Sequence, residues 1–326
     1  MPPYISVVIC TFNRVDLLRK ALESLSRQDC DANRYEVIVV DNNSTDLTGE
    51  MVRSCSAPFD VRYVLETTQG LSHARNRGWR EAQGEYIAYL DDDAIAPPHW
   101  LSLASQIIEA HRPAMFGGPV REFTEKDPPF WYKPSYMVAL DLDEPQVLGP
   151  TYLVVGCNMF CSRRILELTG GFHPDLGMLG NRIGYAEEDF LQSQIRSLGG
   201  DNVIFGHPNL YIGHLVRSEK LTWHWIMRDA WSKGRYAWRH RTLQSGVTVI
   251  TLSSRAAHFR SAVFNTLKAL YAAGIGVWFR DTGRFQFPQN YLFEKLRVYL
   301  FMIGYHFGAA TSRARDSKRP NLLNLV

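Results

Sequence analysis

The chain has 326 residues, a formal net charge of +3 and 45% apolar residues, 12% of the chain being aromatic. That apolar content is ordinary for a globular protein and excludes intrinsic disorder, and the length suits about two domains of ~150 residues each. Five cysteines (Cys10, Cys30, Cys55, Cys157, Cys161), odd in number and without C-x-x-C spacing, are expected as reduced, buried or incidental thiols, not as a disulfide frame or zinc site.

The opening, MPPYISVVICTF, has neither a basic start nor a long apolar run. It does not read as a secretory signal, so a cytoplasmic location is expected. From there strand and helix signals alternate. YISVVICT is a β-branched strand, and RVDLLRKALESLSRQ a helix with leucines at 17, 18, 22 and 25. YEVIVVD is a second buried strand, followed by NSTDLTGEMVRSC, a helix with Ser, Thr and Asp available as caps. VRYVLE is a third strand, LSHARNRGWREAQG a helix closed by Gly84, and EYIAYLDDD a fourth strand. Such alternation predicts an α/β fold with a Rossmann-like, mostly parallel sheet flanked by helices.

In sheets of this kind ligands bind beyond the carboxyl ends of the strands. Thr11, Asn13 and Arg14, then Asp41 and Asn42, then Glu66, then Asp91, Asp92 and Asp93 stand at those ends. Three adjacent carboxylates repel one another and are costly at the end of a buried strand unless something binds them. Neither G-x-G-x-x-G after the first strand nor G-x-x-x-x-G-K-[ST] is present. Dinucleotide-dependent redox chemistry and P-loop phosphotransfer are therefore disfavoured. A divalent cation held by carboxylates can neutralise a diphosphate instead.

Further on, TYLVVGCNMFCSRRILELTGGF reads as a strand and then a short helix ended by Gly170 and Gly171, with the cysteines of CNMFC at alternate apolar positions of the strand. GYAEEDFLQSQIRSLGG reads as an amphipathic helix with Glu187, Glu188 and Asp189 in its first turn. Acidic residues there favour the helix dipole, and crowded carboxylates raise one another's pKa, as a general base requires.

The charge is divided unevenly. Residues 1–214 hold 18 Lys and Arg against 28 Asp and Glu, a balance of −10; residues 215–326 hold 18 against 5, a balance of +13. The basic part contains LTWHWIMRDAWSKGRYAWRHR, two apolar stretches (SAVFNTLKALYAAGIGVWF and NYLFEKLRVYLFMIGYHFGAA) and a basic end, TSRARDSKRP. Apolar helices with boundary tryptophans and a basic polar side suit an anionic membrane surface. Core helices packed on the front half are the alternative. Nucleic acid is disfavoured because no recognition module accompanies the charge.

The segments SVVICTFNR, VIVVDNNSTD, ARNRG, YLDDDA, GGFHPDLG and EEDF, in this order across residues 4–217, resemble the successive motifs of family 2 glycosyltransferases, inverting enzymes of GT-A fold. The resemblance implies a catalytic domain over 1–217, with a nucleotide-sugar half (1–117) and an acceptor half (118–217), and a separate basic, aromatic-rich helical region over 218–326. It implies a nucleotide-diphosphate sugar donor (UDP-, dTDP- or GDP-linked), a divalent metal (Mn²⁺ or Mg²⁺), and a glycan or lipid-linked acceptor on the inner face of the cytoplasmic membrane.

Residue by residue, Asp41 corresponds to the aspartate facing the nucleobase, the alternative being a helix cap. Thr11 and Arg14 correspond to contacts with the nucleoside and phosphates, although Arg14 also fits a solvated turn. Arg75 and Asn76 correspond to residues lining the nucleotide, whereas Arg77 reads as a surface charge. Asp91 would lie near the ribose or metal, Asp92 would face the sugar and Asp93 would bind the metal. His214 would approach the metal or diphosphate, and Arg217 the leaving phosphates. Asp189 would be the base with Glu188 assisting, and Asn158 would reach donor sugar or acceptor, or be a satisfied turn amide. A non-catalytic sugar-nucleotide or lipid-binding scaffold of the same fold is the other class, disfavoured by the presence of both Asp93 and Asp189. Nucleotidyltransfer is disfavoured by the lack of a G-x-G-T-R-type loop.

Overall fold

The computed structural model describes residues 4–133, 140–180, 182–246 and 251–312. Most of the basic end, from residue 313, lies outside them. The chain divides into two compact units, one from the residues up to Ile183 with Glu187–Leu221, the other from Gly184–Ala186 with the residues from Thr222 on.

The first unit begins with β1 (Ile5–Thr11), α1 (Val15–Leu25), β2 (Tyr35–Asp41), α2 (Thr48–Arg53), β3 (Asp60–Leu65), α3 (Leu71–Glu81) and β4 (Tyr86–Leu90). These strands lie side by side in the order β3-β2-β1-β4, all parallel. β-Branched runs in β1 and β2 leave both faces apolar. Val7, Ile9, Val37 and Val39 pack with Leu18, Leu22 and Leu25 of α1, while Val8, Ile38 and Val40 pack with Ala74 and Trp79 of α3. Burying each such aliphatic side chain stabilises by about 1.5–3 kcal/mol, which is why a sheet covered on both faces needs continuous apolar strands.

Asp46, among the residues expected as caps of α2, accepts from the Thr48 amide at 3.1 Å, although the N-cap position itself is Leu47. Helix α3 is not closed by Gly84: it ends at Glu81, and Ala82 is already extended. Gly84 lies against the start of β1, where a Cβ would come within 2.7 Å of the Ser6 nitrogen, so close backbone approach requires glycine there.

The unit continues with β5 (Ala94–Ile95), α4 (Trp100–His111), β6 (Met115–Gly117), β7 (Val120–Phe123), β8 (Gln146–Val147), β9 (Asn158–Ser162), α5 (Arg163–Thr169), α6 (Glu187–Leu198), β10 (Ile204–Gly206) and β11 (Ile212–Leu215). The main sheet is completed in the order β3-β2-β1-β4-β9-β6-β10-β8. β9 runs antiparallel between β4 and β6, with Leu90 opposite Asn158. The strand expected from Thr151 is thus confined to Asn158–Ser162, which leaves Cys157 just before it. Ser162 caps α5 and the left-handed Gly170 ends it, as the sequence implies.

A second sheet, β5-β11-β7, sets His214 opposite Ala94. The Leu215 amide donates to the Asp93 carbonyl at 2.9 Å. This small sheet ties the β4 loop to β11.

The second unit is helical: α7 (Trp223–Ser245), α8 (Leu252–Tyr271), a π turn at Ala272–Gly276, and α9 (Pro288–Thr311). Both α7 and α8 pack on α9. Trp238 Nε1 donates to Ser312 Oγ at 2.8 Å, and the ring nitrogens of His258 and His306 meet at 2.8 Å. Among the described residues no helix is long and apolar enough to cross a membrane.

Candidate functional site

The parallel register brings Thr11 beside Asp41, and β4 ends alongside, so one edge of the sheet collects the polar groups. Asp41 accepts from Tyr63 Oη and from the Ser44 amide, each at 2.8 Å. Those contacts fix its carboxylate at the end of β2. Asp92 is buried and turned inward, accepting from Thr11 Oγ1 and Arg14 Nη1, each at 2.8 Å. Burial pushes its carboxyl up to about 6 against the pull of Arg14. The expected orientation toward a sugar is not what this side chain adopts; it fastens β1 to the β4 loop.

Beyond the end of β4, Arg14 Nη1 is shared between Asp92 and Asp93, while Asp91 faces Arg75 at 3.6 Å. His214 Nε2 lies 3.2 Å from Asp93 Oδ1, and Arg14 Nη1 lies 3.6 Å from its other oxygen. Burial alone would raise Asp93, but the His214 hydrogen bond and the charges of His214, Lys220 and Arg14 hold it well below the usual carboxylate range. Asp91 is raised, by burial and by the charge of Asp93, with Arg75 opposing.

Ligand atoms of Asp91, His214 and Cys157 lie within 4.8 Å of one another. With Asp93 on His214, the cluster offers two carboxylates and an imidazole, a donor set that fits Mn²⁺ or Mg²⁺. Cys157 is a poor fourth donor because its soft sulfur suits neither of these hard cations; burial and the nearby acidic charges push its thiol up. Arg217 approaches the same place, its Nε 3.9 Å from Asp93 Oδ2 and its Nη1 on Glu219 at 3.0 Å. That Nε is buried without a hydrogen-bond acceptor, a donor suited to an anionic ligand.

Arg75 sits at the centre. Its guanidinium is buried and reaches Glu187 at 3.1 Å, Glu188 at 3.3 Å and Asp91 at 3.6 Å. It lies 5.9 and 5.3 Å from the ring centroids of Tyr89 and Phe172. Burial would lower its pKa, but the three carboxylates raise it and keep it charged. Glu188 Oε1 also accepts from the Gly156 amide at 3.2 Å, and a Cβ on Gly156 would collide with both Arg75 and Glu188. Glycine is required for this three-way contact. Arg75 therefore joins Asp91 to the first turn of α6, a role different from lining a nucleotide.

On α6, Glu187 is buried and raised well above the carboxylate range by burial and by Glu188, with Arg75 opposing. Asp189 follows on the solvent side. Protein crowding its carboxyl, then the charge of Glu188, push it up to about 6, while water on the exposed side works against the shift. The helix is entered through Ala186 at φ 75°, a strained conformation for a residue with a Cβ.

Two expected residues serve the scaffold. Asn76 donates to the Phe172 carbonyl at 2.7 Å and accepts from the Phe172 amide at 2.9 Å. Asn158 is fully buried, donating to Leu210 O at 2.6 Å and accepting from Trp100 Nε1 at 2.9 Å, which makes it a satisfied core amide. Conversely Tyr63, Cys157 and Glu187 join the site without having been singled out. A phenol in a third strand and a thiol before an antiparallel one carry no local signal of this; only the acidic run around Glu187 could have pointed to it.

The chain is similar to known proteins in both sequence and fold. Residues 6–169, half of the chain, match the family model for glycosyl transferase family 2. Glycosyltransferase AglE of Haloferax volcanii is 35% identical over 124 residues, 37% of this chain and 40% of that protein. The GalNAc(5)-diNAcBac-PP-undecaprenol beta-1,3-glucosyltransferase of Campylobacter jejuni is 39% identical over 94 residues, 28% of this chain and 30% of that one. Neither match reaches half the relative's length. Among solved structures, mannosyltransferase PcManGT from Pyrobaculum calidifontis, in complex with GDP-Man and Mn²⁺, superposes with a TM-score of 0.60 at 20% identity over 93% of this chain and 86% of that chain. S. aureus TarS 1-349 with UDP-GlcNAc gives 0.55 at 16% identity over 92% and 90%. The mixed sheet and its flanking helices are the GT-A fold, and the chain belongs to glycosyl transferase family 2.

Proposed function

We propose that the protein transfers a sugar, with inversion, from a nucleoside diphosphate to an acceptor hydroxyl in polysaccharide or glycolipid synthesis. The observation that carries this is the convergence of Asp91, Asp93, His214 and the Arg217 Nε, which lies near Asp93 but donates no hydrogen bond, beyond the sheet edge that also bears Asp41. Asp41, fixed by Tyr63 and Ser44, would accept from an imide N–H of uracil, thymine or guanine. Arg14 and Arg217 would face the phosphates. Asp91, Asp93 and His214 would hold Mn²⁺ or Mg²⁺, which when bound supplies charge neutralisation to the departing diphosphate. Asp189 would take the acceptor proton, and its position in the first turn of α6, whose Glu187 and Glu188 are held by Arg75, fixes it relative to the donor groups. Direct displacement requires no covalent sugar–enzyme bond, so no nucleophilic side chain is needed.

The donor class is supported by the GDP-Man and UDP-GlcNAc complexes of the two structural neighbours. A lipid-linked acceptor, and with it a peripheral place on the inner face of the cytoplasmic membrane, is supported by the polyprenol-linked substrate of the Campylobacter relative and by the +13 balance after residue 214. The test is release of nucleoside diphosphate from a panel of UDP-, dTDP- and GDP-sugars with Mn²⁺ or Mg²⁺. Turnover that needs the cation and singles out one donor supports the proposal; no turnover and no saturable binding of any member contradicts it.

A further inference from the structure

The second unit leaves one long apolar face without a partner among the described residues. α8 packs on α9 through the side bearing Ser254, His258, Ala262, Asn265 and Ala269, all half-buried. Its other side carries Phe259, Val263, Leu267 and Leu270 at helical spacing, with Phe264, Tyr271 and Ile275 beside them, every one exposed. The stripe runs on through the π turn to Trp278 and Phe279, which are 81% and 80% exposed. A contiguous apolar face of this length marks an interaction site.

The charges around it identify the partner. From Leu252 to Arg280 the sequence holds Arg255, Arg260, Lys268 and Arg280 and no acidic residue. Arg255 turns inward, its Nη2 donating to Ser312 O at 2.7 Å. Arg260 and Lys268 stay exposed, and the Lys268 ammonium lies 4.4 Å from the Phe264 ring centroid, at the margin of the stripe. A second copy docked two-fold on this face would bring these cations toward their own kind with no carboxylate on the face to pair them. An anionic bilayer answers both features, acyl chains receiving the apolar stripe while headgroups take the cations. Among the described residues no helix is long and apolar enough to span, and the geometry is that of a helix lying in the interface.

We infer that the exposed face of α8, continued to Trp278 and Phe279, is the surface by which the protein docks on anionic lipid. This rests on the membrane association proposed above and names the residues that perform it. Insertion of the stripe is insensitive to salt, whereas the contribution of Arg260 and Lys268 is screened.

The experiment is co-sedimentation of the full chain with phosphatidylcholine vesicles, with or without phosphatidylglycerol. Paired variants are Trp278→Ser with Phe279→Ser, and Arg260→Glu with Lys268→Glu. All four positions are exposed, so unchanged thermal melts verify folding. The aromatic pair is expected to weaken binding at least about tenfold at every salt concentration, since two large apolar side chains no longer insert. The charge pair should weaken binding only to vesicles containing phosphatidylglycerol, and less as salt rises. Binding by the aromatic variant equal to that of wild type would overturn the inference. So would absent vesicle binding together with a wild-type dimer that the aromatic variant dissolves, which would assign the face to self-association, or binding that appears only after deletion of residues 313–326, which would assign it to that segment. Release of nucleoside diphosphate in solution, measured on the same variants, separates the outcomes: its loss in wild type bears on the catalytic proposal, not on the surface.

Discussion

Replacing Arg75 by methionine keeps the length and apolar stem of the side chain and removes the cation between α3 and α6. In the wild type the guanidinium meets carboxylates of Asp91, Glu187 and Glu188 within 3.6 Å. Stranding the partners of a buried ion pair costs about 3–5 kcal/mol. Glu187 is already driven toward its neutral form, which relieves part of that, so a loss near ~3 kcal/mol at neutral pH is expected. For a unit of this size that corresponds to a Tm lower by about 6–12 °C. The sign of the pH dependence follows from Glu187. Its folded pKa lies above the unfolded value, so its contribution is present below about pH 4.3 and is lost as pH rises through the folded value. Removing Arg75 raises that carboxyl further, so the deficit of the variant should be smaller near about pH 5 than near about pH 8. Urea unfolding at both pH values, followed by circular dichroism, measures it. Arg75→Lys should fall between, since it restores charge but not the fork that spans two glutamates. A deficit below about 1 kcal/mol, or one larger near about pH 5 than near about pH 8, would refute the picture of Arg75 as the buried counter-ion of this cluster.

Further outcomes are expected of the site. Asp189→Asn should lower kcat by about 10²-fold or more with donor affinity nearly unchanged, because the amide cannot accept the acceptor proton; loss of donor affinity with normal turnover would place Asp189 in the nucleotide site instead. In the wild type, kcat/KM should rise about tenfold per pH unit up to about 6 and level off above, as the Asp189 carboxylate forms. A profile flat through that range would contradict the assignment. Cys157→Ser should leave Mn²⁺ affinity within about twofold of wild type, since a soft sulfur contributes little to a hard cation; a tenfold loss would make Cys157 a ligand.

The front of the fold is legible because β1, β2 and β4 are buried on both faces and so must be apolar throughout, and α1 must carry its leucines at helical spacing. Asp91 and Asp93 stand out for the same reason, as charges that interrupt a buried run. What lies beyond depends on pairings between distant segments. β5, β6 and β7 have two to four residues, too few to show a period, and their places follow from partners up to 120 residues away. The inward turn of Asp92 follows from its contacts with Thr11 and Arg14 beyond β1, and the core role of Asn158 and the approach of Cys157 to His214 from β9 entering antiparallel beside β4, none of which a local pattern announces. Arg75 shows the same limit. Its position on α3 is readable, but whether a guanidinium faces nucleotide or carboxylates depends on where α6 comes to rest.

The most direct test of the account is an equilibrium titration of Mn²⁺ followed by the loss of its free-ion EPR signal, with and without UDP or GDP, on wild type and Asp93→Asn. Coupling between cation and nucleotide is reciprocal, so each must tighten the other if Asp91, Asp93 and His214 hold a metal against the diphosphate. The expected result is strong Mn²⁺ binding by the wild type only when one of the nucleotides is present, and its loss in a folded Asp93→Asn. Nucleotide binding that is indifferent to Mn²⁺ and unchanged in Asp93→Asn would contradict the central claim.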